Sequence, residues 1–291
     1  MTNPRIRISK YGPEFSRIAL GLWRLTSWQR TAGQRLEYVQ QALDLGITTI
    51  DHADIYGSEF PFGEALSLSP SLRDRTEIVT KCGIVSNGER SYYDTSARHI
   101  IDSLENSLRL LRTDYVDLLL IHRPDHLMQI DEVAAAFQRL HESGKVRYFG
   151  VSNFTPGQFN MLASRYPLVT NQVEWSPLHI NPLDDGTFDQ CQQLAISPMI
   201  WSALAGGRLF SDQSARAKRV RDTLSELALR YAVSPTTIVY AWLLAHPSNP
   251  VVLTGSGRLD AIKEAFAALE VTLSRADWFA IWRASTGTPV P

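Results

Sequence analysis

The chain has 291 residues, 44% of them hydrophobic, enough to bury a large core and an ordinary length for one α/β barrel. Its 29 basic and 30 acidic side chains give a formal charge of −1, which excludes the electrostatic footprint that nucleic acid or an acidic membrane requires. Two cysteines, Cys82 and Cys191, supply neither a disulfide framework nor a zinc-ligand spacing and read as small buried side chains in a reducing compartment.

Met1 through Lys10 interrupts its apolar residues with polar and basic ones and so offers no continuous apolar core for a secretory signal. Apolar runs such as Val116 through Ile121 are strand-length, well short of the roughly 20 residues a membrane helix needs. The expected setting is therefore cytoplasmic, with neither membrane nor nucleic acid as a partner. Ile6 to Phe15, with Gly12 and Pro13 between apolar residues, is expected to form a β-hairpin covering one end of the fold.

Eight strand-like runs follow: Ile18–Leu20, Ile47–Ile50, Glu77–Thr80, Val116–Ile121, Val146–Val151, Val169–Val173, Pro198–Trp201 and Val251–Leu253. Amphipathic stretches separate most of them, which is the alternation of βαβ units, and eight is the number that closes a (β/α)8 TIM barrel. Helix punctuation agrees. Leu36, Val39 and Leu43 make one apolar face with Gly46 at the expected left-handed cap, and Val133, Phe137 and Leu140 precede Gly144 in the same way. Thr155-Pro156 and Ser234-Pro235 each pair an N-cap with proline at the first helical position. The tail from Asp277 through Pro291, with Trp278, Phe279 and Trp282, could close over the barrel mouth or dock on its side. No linker, repeat or low-complexity stretch divides residues 1–291, which are expected to form one domain.

Barrel enzymes carry their chemistry where the strands end at the carboxyl side, because the loops there converge on one mouth. The second strand runs into Asp51 and, a few residues on, Tyr56; the third ends at Lys81 and the fourth at His122. A phenol titrates near pH 10 and is a poor acid or base at neutrality until a neighbouring ammonium stabilises its anion. Lys81 is placed to do that, Asp51 to hold the lysine charged, and His122 to donate to a substrate oxygen. Each residue taken alone is more often structural. The four together are specific.

The run Gly46-Ile47-Thr48-Thr49-Ile50-Asp51-His52-Ala53-Asp54-Ile55-Tyr56-Gly57 resembles the signature of the aldo-keto reductases, with Lys81 and His122 completing that family's tetrad in order. The likeness continues through Gly150-Val151-Ser152-Asn153-Phe154, Asn171-Gln172-Val173-Glu174, Trp201-Ser202-Ala203-Leu204 and Gly255-Ser256-Gly257-Arg258, and looks nearest to a bacterial branch of oxidoreductases without an assigned substrate. It implies a (β/α)8 barrel that reduces aldehydes or ketones with a nicotinamide dinucleotide, Tyr56 acting as general acid. By the same likeness Ser152, Asn153 and Gln172 would hold the nicotinamide amide and Trp201 would stack on its ring. Gly21, Leu22 and Trp23 would line the cofactor, with Trp23 also walling a substrate pocket completed by Tyr56, His122 and Arg123.

Ser202, Leu204, Gly206 and Arg208 lie on a loop whose N–H groups and guanidinium suit a pyrophosphate. No G-x-G-x-x-G follows the first strand, so a Rossmann domain is not supported and the dinucleotide must lie on the barrel. Near the eighth strand Ser256 and Arg258 are candidates for a 2′-phosphate and Glu264 for the adenine amino group. Gly255, Ala261 and Ala265 depart from the lysine, arginine and asparagine that many members carry there. Arg258 can substitute, since its planar charge matches phosphate, and NADPH is preferred over NADH.

The charged loop of Arg123, Asp125 and His126 is either a solvated rim or a selector of polar or anionic substrates. Two other function classes use the same residues: a non-enzymatic dinucleotide-binding redox sensor, and a Schiff-base lyase using Lys81. No metal is expected, because His122 and His126 have Pro124 between them and no H-E-x-x-H is present. The resemblance implies neither a particular substrate nor an oligomeric state.

Overall fold

The computed structural model describes residues 3–86, 88 and 90–290, so Met1 and Pro291, which entered the readings of the two termini, lie outside the described residues. Its strands, in chain order, are β1 (Arg5–Arg7), β2 (Glu14–Ser16), β3 (Ile18–Gly21), β4 (Thr49–Asp51), β5 (Glu77–Cys82), β6 (Ile84–Ser86), β7 (Ser91–Tyr93), β8 (Val116–Ile121), β9 (Val146–Ser152), β10 (Asn171–Glu174), β11 (Met199–Trp201) and β12 (Val251–Thr254). The eight strands β3, β4, β5, β8, β9, β10, β11 and β12 pair in parallel in that order, and β12 returns to β3 to close the barrel.

Both faces of these strands are buried, which is why the sequence shows continuous apolar runs rather than alternation. Ala19, Val79, Leu118, Leu120, Met199, Val251 and Leu253 fill the barrel interior, while Ile18, Leu20, Ile50, Ile78, Leu119 and Ile121 pack outward against the helices. The antiparallel pair β1–β2 is the expected hairpin. Phe15 of β2 and Ile8, just after β1, join the interior cluster, fully buried, and Ser197 N–H donates to the Ile8 carbonyl at 2.7 Å. The hairpin therefore seals the amino end of the barrel and leaves the carboxyl end as the open mouth.

Strand limits shift by a residue or two for visible reasons. Ile47 is not yet strand: its N–H donates to Ala42 O at 3.0 Å, finishing the helix Ala32–Asp44 through a left-handed Gly46 (φ 79°). β5, β9 and β12 run further than expected and carry Lys81, Ser152 and Thr254 within the sheet. The helix punctuation stands where the residues put it, with Thr155 in a capping box with Gln158 and Ser234 accepting from Thr237 N–H at 3.1 Å. The β6–β7 hairpin, rising from the end of β5, has no counterpart in the sequence reading. Its arms are half or fully exposed, so no apolar run marks them.

The tail forms the helix Arg275–Thr286 and docks on the barrel's outer helices rather than over the mouth. Trp278 stacks on Trp242 with ring centroids 5.2 Å apart, and each indole N–H donates to the other residue's carbonyl, at 3.0 and 3.1 Å. Among the described residues no single helix is long and apolar enough to cross a membrane.

The helix Glu59–Leu68, which follows the second barrel strand, approaches the helix Ala97–Leu111 so closely that a Cβ on Gly63 would lie 2.1 Å from the Leu110 carbonyl oxygen. Backbone cannot yield as a flexible side chain does. Gly63→Ala is therefore expected to destabilise the fold by about 1–3 kcal/mol, read as a lowered midpoint in thermal denaturation; an unchanged midpoint would show that the two helices separate without cost.

Candidate active site

Parallel pairing sets Asp51, the last residue of β4, opposite Val79 of β5, so Lys81 lies one side-chain repeat further toward the mouth on the same face. Its ammonium reaches back to Asp51 Oδ1 at 2.7 Å and to the His52 carbonyl at 2.6 Å, with none of the side chain exposed. The other carboxylate oxygen, Asp51 Oδ2, accepts from Gln172 Nε2 at 2.8 Å. Tyr56 ends a single 3-10 turn, Asp54–Tyr56, which a left-handed Gly57 (φ 68°) terminates. Its hydroxyl lies 3.3 Å from His122 Nε2, and Lys81 Nζ lies 5.1 Å from the centre of its ring. Asp51, Tyr56, Lys81 and His122 thus converge at the carboxyl ends of β4, β5 and β8.

Their charge states follow from burial and neighbours. Burial pulls the Lys81 ammonium down, but Asp51 and Tyr56 outweigh it and leave the lysine above its ordinary value, fully charged at neutral pH. Burial raises the Tyr56 phenol, against the downward pull of Lys81, so it remains a protonated donor. The His122 imidazole is pushed down to about 2 by burial, with Lys81 and Arg123 adding to the effect, and it is neutral. A lysine held by two charge-assisted hydrogen bonds has no free electron pair with which to attack a carbonyl, which disfavours a Schiff-base role.

The tetrad opens into a cleft of about 600 Å³ that runs across the mouth from Tyr56 and His122 to Ser256, Arg258 and Glu264. Gly21, Trp23, Arg123, Ser152, Asn153, Gln172, Trp201, Ser202, Leu204 and Gly206 also line it. Leu22 and Arg208 do not. Leu22 is wholly buried in the hydrophobic core beneath the surface. Arg208 turns away, donating to Ala205 O at 3.1 Å and approaching Glu174 at 3.8 Å.

Three polar side chains near the tetrad are tied to one another. Asn153, in the left-handed region at φ 60°, donates to Ser152 Oγ at 2.8 Å and accepts from Trp201 Nε1 at 3.1 Å. Ser152 Oγ donates to Gln172 O at 2.8 Å. Gln172 gives its amide N–H to Asp51, a bond that no sequence spacing signals because the two lie 121 residues apart.

Sequence reasoning also missed Arg24, which crosses the cleft edge to donate to Gly206 O at 2.9 Å, and Tyr240, Thr236, Phe210 and Ile84 in the walls. The far end rests on two further residues: Tyr38 donates to Ser256 O, and Arg30 donates to Gly257 O at 2.5 Å. Ser202, Ala205, Gly206 and Gly207 all have positive φ, and two N–H groups of this loop are already used within it: Ala205 N–H donates to Ser202 O at 2.6 Å and Gly207 N–H to Leu204 O at 3.0 Å. Among the described residues no three His, Cys, Asp or Glu side chains gather into a metal-binding group.

Behind the tetrad lie two carboxyls without a cation in contact. Glu59 accepts from Thr80 Oγ1 at 2.6 Å and Asp54 from Ser103 Oγ at 2.6 Å, while Glu59 Oε2 and Asp54 Oδ1 have no hydrogen-bond partner. Burial raises both, Glu59 to about 7.

The model of the Aldo/keto reductase family matches residues 17–285. Oxidoreductase YdhF of Escherichia coli (strain K12) is 52% identical over 297 residues, covering 99% of both chains. The 6-dehydroglucose reductase of Agrobacterium fabrum is 42% identical, covering 95% of this chain and 96% of that one. Among solved structures, the glycerol dehydrogenase of Gluconobacter oxydans superposes with a TM-score of 0.86 at 25% identity, covering 100% of this chain and 98% of the other.

The raised Glu59 has a consequence for stability. Between the ordinary carboxylate value and about 7, the folded protein holds a proton here that the unfolded chain has released. Stability should therefore fall as pH rises through that window, by up to about 1.4 kcal/mol per pH unit, and the contribution should level off above it. Asp54, also raised, acts in the same direction. Glu59→Gln keeps an acceptor for Thr80 and removes the titration, so melting curves between pH 5 and pH 7 should flatten in the variant. An equally steep loss in both proteins would place the proton elsewhere.

Proposed function

The chain belongs to the aldo/keto reductase family, and from that premise we propose that it reduces an aldehyde or ketone to an alcohol with NADPH, Tyr56 supplying the proton. Membership makes it an oxidoreductase of carbonyl compounds. The observation that carries the finer reading is the buried Asp51–Lys81 pair beneath a phenol that faces His122 across 3.3 Å.

The cleft suits an elongated dinucleotide: it has an indole at the reacting end, a turn of left-handed residues along one wall and a guanidinium at the far end. Trp201, Ser152, Asn153 and Gln172 would hold the nicotinamide end, Ser202, Leu204 and Gly206 the pyrophosphate, and Ser256, Arg258 and Glu264 the adenosine end, with Gly21 and Trp23 beside it. Engagement of the amide end requires the Ser152–Asn153–Trp201 bonds to be shared or exchanged. Arg208 would have to swing from Glu174 to take part. When bound, the reduced nicotinamide supplies the hydride.

The remaining chemistry is the protein's own. His122, neutral, offers a ring nitrogen to the carbonyl oxygen and orients it beside the phenol. Tyr56 gives its proton to that oxygen as negative charge develops there. Lys81 stabilises the phenolate left behind, and Asp51, itself held by Gln172, keeps the ammonium charged and in place. Trp23 and Trp201 limit water at the reacting atoms. The name 6-dehydroglucose reductase borne by a relative 42% identical supports a polar, oxygen-bearing carbonyl compound as substrate. Free, buried Cys82 and Cys191 suit a cytoplasmic compartment, and residues 1–291 are taken to act as one barrel domain.

Tyr56→Phe keeps the ring and its packing while removing the donor. Turnover should fall by roughly 10²–10⁴-fold with NADPH affinity, measured by fluorescence titration, nearly unchanged. Near wild-type carbonyl reduction by this variant in single-turnover absorbance would overturn the assignment. Arg258→Ala should weaken NADPH much more than NADH; equal losses would remove Arg258 from the 2′-phosphate.

A further inference from the structure

Three guanidinium groups line the cleft, and they differ in what already holds them. Arg24 donates to the Gly206 carbonyl, and Arg258 sits at the far end near Ser256 and Glu264. Arg123, directly after His122, is half-buried at the reacting end with its guanidinium over the Trp201 ring, 5.5 Å from the centroid. Among the described residues it forms no ion pair.

The nearest acid in sequence, Asp125, does not serve it. Asp125 Oδ2 accepts from Thr95 N–H at 3.2 Å and Thr95 Oγ1 at 2.9 Å, and Oδ1 accepts from Leu127 N–H at 2.8 Å, so this carboxylate builds the loop. His126 is exposed and does not line the cleft. Of the charged loop, only Arg123 faces the reaction. Among the described residues lining this end, Asp51 is the one carboxylate and is neutralised by Lys81; of the two guanidiniums near the tetrad, Arg24 lies over Trp23 and donates to Gly206 O, which leaves Arg123 as the cation with no acceptor of its own.

We infer that Arg123 is a specificity-determining residue that receives an anionic group, a carboxylate or its equivalent, carried by the carbonyl substrate. The chemistry fits. A guanidinium held over an indole by cation–π attraction, with no ion pair of its own, keeps N–H groups for a planar anion, and a planar charged fork matches a carboxylate. A half-buried cation without an internal counter-ion has lost part of its hydration, and a substrate anion restores the balance. Its closeness to the centre is felt by both Tyr56 and His122, each of which Arg123 pulls down.

The inference rests on the proposed carbonyl reduction, and a matched pair of substrates separates the two. Initial rates with NADPH are measured for 4-oxobutanoate, butanal and the neutral polyhydroxy aldehyde glyceraldehyde, in the wild type, Arg123→Met and Arg123→Lys. The wild type should prefer 4-oxobutanoate to butanal in kcat/KM. Arg123→Met should collapse that ratio by roughly 10- to 100-fold, mainly through KM for the anion, and Arg123→Lys should restore part of it. A wild-type ratio near one, an unchanged ratio in Arg123→Met despite slower rates, or an Arg123 dependence seen with glyceraldehyde and not with 4-oxobutanoate would each overturn it. Reduction of butanal by the wild type and its loss in Tyr56→Phe report on the parent reading independently: no turnover of any aldehyde defeats carbonyl reduction, whereas turnover without anion preference defeats only the role of Arg123.

Discussion

Lys81 carries its charge with the whole side chain out of solvent, a placement tolerable only because Asp51 Oδ1 and the His52 carbonyl accept from it at 2.7 and 2.6 Å. That tie organises the site. It draws β4 and β5 together at their carboxyl ends, fixes the ammonium below the phenol, and leaves Asp51 with a second oxygen that Gln172 occupies from across the barrel. Gln172 in turn holds Ser152 by its carbonyl, and Ser152 holds Asn153, which holds Trp201. A single buried charge thus orders side chains from five barrel strands and the loops that follow them. Such a chain of satisfied polar groups is rigid because leaving any member unpaired in a low-dielectric interior is costly.

The phenol sits between opposing influences. Burial favours its protonated form and Lys81 favours its anion, with burial the stronger. A donor needs both: it must hold the proton until the carbonyl oxygen becomes basic, and its conjugate base must then be stabilised where it stands. In the proposed proton transfer, placing the cation on the strand beneath the tyrosine, rather than in the cleft, would meet the second need without offering the substrate a competing charge.

The barrel, and the convergence of Asp51, Tyr56, Lys81 and His122 at its mouth, were legible in the sequence because both depend on local regularities. Short runs such as Val116 to Ile121 have the length and branching of buried strands, and residues just after such runs must gather at one mouth in this topology. The Gly46 and Thr155 signals are equally local, fixing a helix end and a helix start. What was not legible depends on contacts far apart in the chain. Gln172 looked available to a ligand amide, yet its N–H belongs to Asp51. Arg30 and Tyr38 brace a loop more than 200 residues away. Arg208 was placed by its position in a loop, but an exposed, flexible side chain takes its direction from whatever charge is near, and Glu174 is near. The tail's aromatic residues were compatible with two dockings, and only the facing Trp242 selects one.

A chain of net charge −1 nevertheless presents a cationic cleft, through where its acids are put rather than how many it has. Asp51 faces Lys81, Asp125 is turned into Thr95 and Leu127, and Asp54 and Glu59 lie behind the tetrad, raised toward their neutral forms by burial. Arg24, Arg123 and Arg258 are left lining the open surface, with Glu264 at the far end as the carboxylate not so engaged. Field lines in a concave, low-dielectric site are focused, so a few unbalanced guanidiniums weigh more there than the same groups spread over the exterior. A net charge of −1 gives no bulk electrostatic footprint, whereas the placement of these three guanidiniums makes this one cleft locally cationic, a setting suited to small anions.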